Sequence, residues 1–365
     1  MQNTVFYMPI PSNRVRSSNG FGLCCGIFFC LMMLSVGIYL ISSYDFTSIQ
    51  SLLKDQLNIL QEKGEIEEAF NDFIETNGKE YISIKEREKR YKIFAENYKR
   101  AQEHNSKGKP YTLGVTKFMD LTHEEFSDYV GHLKPRSKRN VVELKNSDPD
   151  PNIDWQAKGK VTRVKDQGQC GSCWAFSSIG STESLYAIKK GNLTEFSEQE
   201  LVDCSWSFRN EGCNGGLMEH AFDYMIEKGI SLESEYPYIG RDAKCAKKSN
   251  SFQIKTYNDV AEDNSDDLLI ALNVEPISVS VEADEDAWQM YTGGIVTEDC
   301  GWNLDHGVLL VGSGFDSSRK IKYWRIKNSW GPSWGESGFI RLLRQTGRGP
   351  GVCGVAMDAT YPLYF

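Results

Sequence analysis

Positive charge is in short supply. The 365 residues carry 41 Lys and Arg against 50 Asp and Glu, a net charge of −9 at pH 7, which leaves nucleic-acid binding without compositional support. From Asp150 onward 31 acidic residues stand against 21 basic ones. Such a surface repels itself less where acid partly neutralises it. Histidine is scarcer still: the chain has five, and only His220 and His306 lie beyond residue 150. Gly312-Ser-Gly314 lacks the G-x-S-x-G frame of a nucleophile elbow. The pair Cys170-x-x-Cys173 lacks a second close pair, since Cys204 and Cys213 are nine apart, so the signal for a zinc site is poor. It also lacks a preceding βαβ pattern, which a thioredoxin-type redox pair would have. Two purely structural cysteines remain as the plain reading. No metal and no cofactor are expected.

What is present is the stretch Lys165-Asp-Gln-Gly-Gln-Cys-Gly-Ser-Cys-Trp-Ala-Phe176. After Cys173, Trp174, Ala175, Phe176, Ile179, Thr182, Leu185, Tyr186 and Ile188 recur at helical spacing, and Gly191 can close the helix. Asp-Gln-Gly-Gln before it is loop. Cys173 is therefore predicted at a helix N-terminus, where unpaired N–H groups and the dipole favour a thiolate and lower the thiol pKa. A thiolate is a strong nucleophile near neutral pH.

Cys-Gly-Ser-Cys-Trp resembles the local signature of the papain family, and residues 66–365 as a whole resemble cathepsin L-like cysteine proteases. That resemblance implies an α+β, papain-like fold with a helical lobe and a β-barrel-like lobe, preceded by a mainly helical inhibitory propeptide. It implies catalytic roles for four residues. Cys173 is the nucleophile. His306 follows it by 133 residues and is its base, and Asn328 follows by 155 and orients the ring. Gln167 joins the Cys173 amide in an oxyanion hole. The substrate would meet Gly215 and Gly216 of Gly212-Cys-Asn-Gly-Gly216 through its backbone. Its second residue before the scissile bond would enter a pocket made by Leu217, Met218, Ser280, Leu304 and Asp358. Asp305 and Trp330 border the site, with Trp330 shielding the His306–Asn328 bond. The resemblance also pairs Cys170–Cys213, Cys204–Cys245 and Cys300–Cys353, whereas sequence alone permits about fifteen pairings of six cysteines. Protein and peptide substrates are the expected partners, and the mature form is expected to be a monomer. His220 reads as a surface or groove-edge residue, Trp334 as packing, and Asn192-Leu-Thr194 as a glycosylation sequon.

Residues 1–20 are polar and basic, with no acidic residue, and read as a cytoplasmic tail. Residues 21–42 contain an uncharged run from Phe21 to Ile41. At about 1.5 Å per residue it would make roughly 32 Å of helix, enough to cross a bilayer. It exceeds the apolar core of about 7–15 residues of a cleaved signal peptide. The expectation is a signal anchor and a single-pass type II membrane proform, its active form released into an acidic endosomal, lysosomal or vacuolar lumen. Residues 43–66 read as a stalk. Residues 67–131 read as the propeptide. Ala69, Phe70, Phe73 and Ile74 form one apolar face closed by Gly78, and a longer helix begins near Ile84. Glu86, Arg90, Phe94, Asn97, Ala101 and Asn105 are similar to the interspersed ERFNIN motif, with Ala101 departing from it. Gly114-x-Thr116-x-Phe118-x-Asp120 resembles the companion motif, with Thr for Asn. Residues 132–149 are a cleavable linker, with the mature start between Asn146 and Asn152, and 150–365 form the peptidase domain. Ser197 is predicted to cap a helix, with Glu200 completing a capping box. The leading expectation is a cysteine endopeptidase made as a tethered zymogen and inhibited by its own propeptide. It prefers a hydrophobic, and also an Arg, residue two before the scissile bond. The competing one is an inactive peptide-binding homologue.

Overall fold

The computed structural model describes residues 46–130, 133, 141, 148–246 and 249–364. It divides into one unit of residues 1–65 and a second of residues 66–365. Helix α1 (Phe46–Asn77) is a single element where the sequence suggested a stalk and a separate helix. Gly64 inside it does not end it, because a lone glycine costs only about 1 kcal/mol in a helix interior. Gly78, with φ 57°, ends it.

Among the described residues no helix is long and apolar enough to cross a membrane. The expected transmembrane signal anchor, the membrane as partner and the type II membrane localisation are corrected on that finding. Residues 21–42, from which that expectation came, lie outside the described residues, as does most of the linker 132–149.

Within the second unit, α2 (Ile84–Ser106) starts at Ser83, whose hydroxyl accepts the Glu86 amide. Strand β1 (Tyr111–Leu113) and helix α3 (His123–Val130) follow. Phe70, Phe73 and Phe94 are buried against one another with ring centroids 5.2–6.2 Å apart. Each such ring stabilises by about 1.5–3 kcal/mol relative to exposure. This aromatic knot is continuous with the core beneath the sheet.

The helical lobe is α4 (Cys173–Lys190), α5 (Glu198–Cys204) and α6 (Met218–Lys228). Its separate core joins Trp174, Ile179, Leu185, Leu201, Phe222 and Met225. Gly191 closes α4 in the left-handed region, where a side chain would be strained. Ser197 Oγ accepts the Glu200 amide as predicted, but the Glu200 carboxylate turns away and accepts Tyr224 and the Ser231 amide. The capping box is thus half made. Tertiary donors outbid the local one.

The other lobe is built on β2 (Thr256–Asp259), α7 (Ser265–Leu272), β3 (Ile277–Val281), α8 (Asp286–Gln289), β4 (Tyr291–Val296), β5 (His306–Asp316), β6 (Ile321–Lys327), β7 (Phe339–Leu343) and β8 (Ala359–Leu363). The sheet order is β1-β4-β7-β6-β5-β3-β8-β2. All neighbours are antiparallel except β4 and β7. β1, from the N-terminal segment, pairs with β4 and covers its edge, Tyr111 opposite Gly294. Disulfides join Cys170–Cys213, Cys204–Cys245 and Cys300–Cys353.

Candidate active site

Cys173 is the first residue of α4, is fully buried, and is the one cysteine among the described residues outside a disulfide. His306 is the first residue of β5. The two element starts abut: a Cβ built on Gly307 would lie 3.3 Å from Trp174 N, and the Gly307 amide acts on the Cys173 thiol. Asn328 follows the end of β6, and its Oδ1 lies 2.8 Å from His306 Nε2. Trp330 stacks on the His306 ring with centroids 4.8 Å apart, and Trp288 meets that ring edge-on at 6.2 Å. The aromatic walls keep water from the imidazole–amide bond and fix the ring plane.

Gln167 is buried in the loop before α4. Its Nε2 donates to Cys170 O at 3.1 Å, and Ser329 Oγ donates to its Oε1 at 2.6 Å. The Gln167 amide donates to Ser329 O, and Gly331 N to Lys165 O. The loop carrying Gln167 is therefore laced to the segment carrying Asn328. Ser329 was not singled out in the sequence, although its place beside Asn328 was a signal.

On the other side, Gly216 packs so tightly that a Cβ would fall 2.4 Å from Asn210 Oδ1 and 2.7 Å from the Trp174 ring. Only glycine fits at 216, and the Gly215 carbonyl accepts the Glu211 amide at 2.8 Å. Leu133 pairs with Gly216 in parallel. Leu217, Met218, Ser280 and Asp358 are buried, and Leu304 is half-buried. Ser280 Oγ donates to Asp358 Oδ2 at 2.7 Å, so this aspartate is enclosed rather than solvated. Asp305 precedes His306, and its Oδ1 accepts the Ala283 amide at 2.8 Å. His220 lies on α6 two residues after Met218 and is half-buried. Asn192 is exposed just past α4, its Nδ2 donating to Thr194 Oγ1. Trp334 donates its indole N–H to Trp288 O, within the core.

Residues 149–363 match the model of the papain family of cysteine proteases. The chain belongs to that family. Residues 70–126 match the cathepsin propeptide inhibitor domain, so this papain-family protease is a zymogen carrying its own inhibitor. It is 46% identical to thiol protease SEN102 of Hemerocallis sp., over 77% of this chain and 81% of that protein. It is 39% identical to cysteine protease XCP2 of Arabidopsis thaliana, over 90% and 94% of the two chains. Among solved structures it resembles the proform of the ragweed pollen allergen Amb a 11 cysteine protease, with TM-score 0.77, 36% identity, and 82% and 95% of the chains covered. It also resembles a digestive procathepsin L 3 of the Tenebrio molitor larval midgut, with TM-score 0.76, 37% identity, and 82% and 99% covered. The papain-like fold with an N-terminal helical propeptide is thus established.

The propeptide caps the papain-family site. Phe118, Phe126 and Tyr129 pack on Trp330 with centroids 5.2, 5.6 and 6.1 Å away. Arg90 donates to Glu86, Glu125 and Asp120 O, and Asn97 donates to Met119 O and Leu121 O. Lys79 and Tyr81 hold the Asp120 carboxylate. These bonds fasten the segment 119–125 that leads α3 onto the site. Covering the site changes its electrostatics. The sequence predicted a lowered thiol pKa, but burial pushes the Cys173 thiol up to about 11, against the opposing amides of Gly307 and Trp174. Burial pulls His306 down to about 4, against the Asn328 bond and the Val130 backbone. Both groups are neutral under the propeptide at neutral pH. The helix terminus favours the thiolate, but desolvation of a charge outweighs it.

Beneath the site lies a charge cluster that sequence reasoning missed. Lys165 Nζ is 2.7 Å from Glu183 Oε1 and 2.5 Å from Glu198 Oε1. Lys327, next to Asn328, donates to Thr162 Oγ1 at 3.1 Å. Burial alone would lower Lys165, but the charges of Glu183 and Glu198 raise it. Burial pulls Lys327 down to about 8. The nearness of Lys165 to Gln167 and of Lys327 to Asn328 was a signal, but the two glutamates that pair with Lys165 come from α4 and α5.

Proposed function

We propose that this zymogen matures into an endopeptidase working through Cys173 and His306. With the propeptide gone, water reaches both groups and the desolvation that keeps them neutral is relieved. The proton then passes from Cys173 Sγ to His306. The thiolate attacks the scissile carbonyl. The oxyanion is met by the Cys173 amide and by Gln167 Nε2, which Ser329 aims. His306 then gives its proton to the leaving amine, and water hydrolyses the acyl-enzyme with His306 as base. Asn328 Oδ1 accepts the Nε2 proton and leaves Nδ1 for the thiol, which is the orienting role of a triad's third member.

The observation that supports this best is the one thiol among the described residues outside a disulfide, at the head of α4, meeting the strand that begins with a histidine already held by Asn328. Labelling with a covalent thiol inhibitor, with loss of labelling and hydrolysis in Cys173→Ser, tests it. Full hydrolysis by Cys173→Ser would overturn it. We extend the reading to specificity. The pocket of Leu217, Met218, Ser280, Leu304 and Asp358 takes an apolar residue two before the scissile bond, and also arginine through Asp358. Leu-Arg and Arg-Arg substrates compared in wild type and Asp358→Ala test this, and an unchanged ratio removes Asp358 from the pocket. Maturation is proposed to cut the linker between residues 146 and 152, and Asn192 is proposed as a glycan acceptor.

A further inference from the structure

The two oxyanion donors stand at opposite ends of the loop 167–173, and one hydroxyl ties those ends together. Tyr238 Oη donates to Gln167 O at 2.7 Å and lies 2.7 Å from Ser172 Oγ. A tyrosine has a single O–H to give. It goes to the carbonyl, so Ser172 must donate to the tyrosine oxygen. The other acceptor within reach of Ser172 Oγ, Cys170 O, is 3.5 Å away. The relay therefore runs from the Ser172 hydroxyl to the Tyr238 hydroxyl to Gln167 O. No other hydrogen bond reaches Gln167 O among the described residues, and Gln167 is fully buried. A buried carbonyl without a donor is costly, so the loop is held where this bond is kept.

Ser172 is the N-cap residue of α4, and serine caps a helix well. Here its hydroxyl caps nothing. It turns to Tyr238 instead, which fixes the residue just before Cys173. Tyr238 is itself anchored away from the site. Its amide donates to Glu233 Oε1 at 2.9 Å, and the Ile239 amide donates to Gln199 Oε1 on α5 at 2.9 Å. Its ring stands edge-on to Phe176 in the first turn of α4, with centroids 4.9 Å apart. The Gln167 side chain is aimed separately. Its Nε2 carries two N–H groups; one is held by Cys170 O, which leaves the other for the oxyanion.

We propose that Tyr238 is a positioning residue of the oxyanion hole, its hydroxyl holding Gln167 and the Cys173 amide at the spacing that the tetrahedral oxyanion requires. This inference rests on the Cys173–His306 reading above and on the part given there to Gln167. Donors preset in place act on charge that develops only in the transition state. Loosening them therefore slows acylation and leaves substrate binding alone.

The test uses enzyme activated from the full chain and a peptide amide substrate. Tyr238→Phe keeps the ring against Phe176 and removes the hydroxyl. It should lower kcat about tenfold with KM unchanged. Affinity for a peptide aldehyde, whose hemithioacetal oxygen lies where the oxyanion forms, should fall by a similar factor. Alkylation of Cys173 by iodoacetamide needs the thiolate but no oxyanion donor, so its rate and pH profile should stay. Ser172→Ala should show the same split at about threefold, and it carries the test if Tyr238→Phe fails to mature. In a Gln167→Ala background, Tyr238→Phe should add less than about threefold, since both act through one group. An unchanged kcat in the variant read, an equal loss in alkylation rate, or the full loss repeated on top of Gln167→Ala would overturn the positioning role. If Gln167→Ala is impaired and Tyr238→Phe is not, this inference alone falls. If Gln167→Ala is itself unimpaired, the oxyanion reading falls with it.

Discussion

Arg90 in the propeptide and Lys165 in the catalytic domain each gather two glutamates, but in different surroundings. The side chains of Arg90, Glu86 and Glu125 are 18–32% exposed. Those of Lys165, Glu183 and Glu198 are 0–8% exposed. Removing a charge from water is expensive, so the buried cluster holds only while every member is present. The propeptide hub remains in partial contact with solvent, where water can replace any lost partner. The difference matches the two tasks. The catalytic domain must keep Gln167 and Asn328 in register permanently, since Lys165 and Lys327 flank them. The propeptide must hold the site and then let go.

The largest expected effect lies in the buried cluster. Lys165→Met, made in a Cys173→Ser background to prevent self-digestion, leaves two buried carboxylates without their cation. It should lower unfolding stability by about 3–5 kcal/mol, read as a shifted denaturant midpoint. A loss below about 1 kcal/mol would erase the contrast. Arg90→Met should cost less, about 1–2 kcal/mol after allowing for solvent. It should speed proteolytic removal of the propeptide while the catalytic domain's own unfolding stays in place. If catalytic-domain unfolding shifts with it, the two networks are not separable.

Acid sharpens the comparison. Burial acts to raise Glu125, but Arg90, the Thr122 amide and Lys89 outweigh it and hold the carboxyl at about 2. A depressed carboxyl stabilises above its ordinary value and loses that contribution only as pH falls from about 4.5 toward 2. His306 works in a different window. Its covered form is neutral down to about 4, against an ordinary 6.5. Protonation therefore favours uncovering as pH falls from 6.5 to 4. Susceptibility of the propeptide to a trace protease, in Cys173→Ser, should rise about ten- to hundredfold across that range. The rise should largely vanish in His306→Gln. If it persists there, the trigger lies elsewhere. At the small end, Arg163→Ala breaks a pair whose side chains are 63% and 32% exposed, and stability should change by no more than about 0.5 kcal/mol.

Much of the site was legible because its signals are local. The Cys173 helix follows from apolar spacing and from Gly191. The Ser197 cap follows from one hydroxyl ahead of an amphipathic turn. Glu86, Arg90 and Asn97 share a face of α2 by spacing alone, and the structure uses that face to bind residues 119–125. What was missed depends on groups brought together from distant segments. The Lys165 partners stand on α4 and α5, and Lys327 reaches Thr162 from β6. Glu200 had a local role available and took tertiary partners instead. The thiol pKa went opposite to expectation because a helix terminus is a local effect and burial under α3 is not.

By itself the sequence determined the chemistry on offer: one nucleophile type, a single well-placed histidine, and the helices that present them. Periodicity and capping act over a few residues, so they can be read from a string. The tertiary structure alone decided which carboxylates lost their water and whether Cys173 and His306 carry charge. Those outcomes depend on which surfaces exclude solvent, and desolvation is a property of the packed molecule rather than of any stretch of chain.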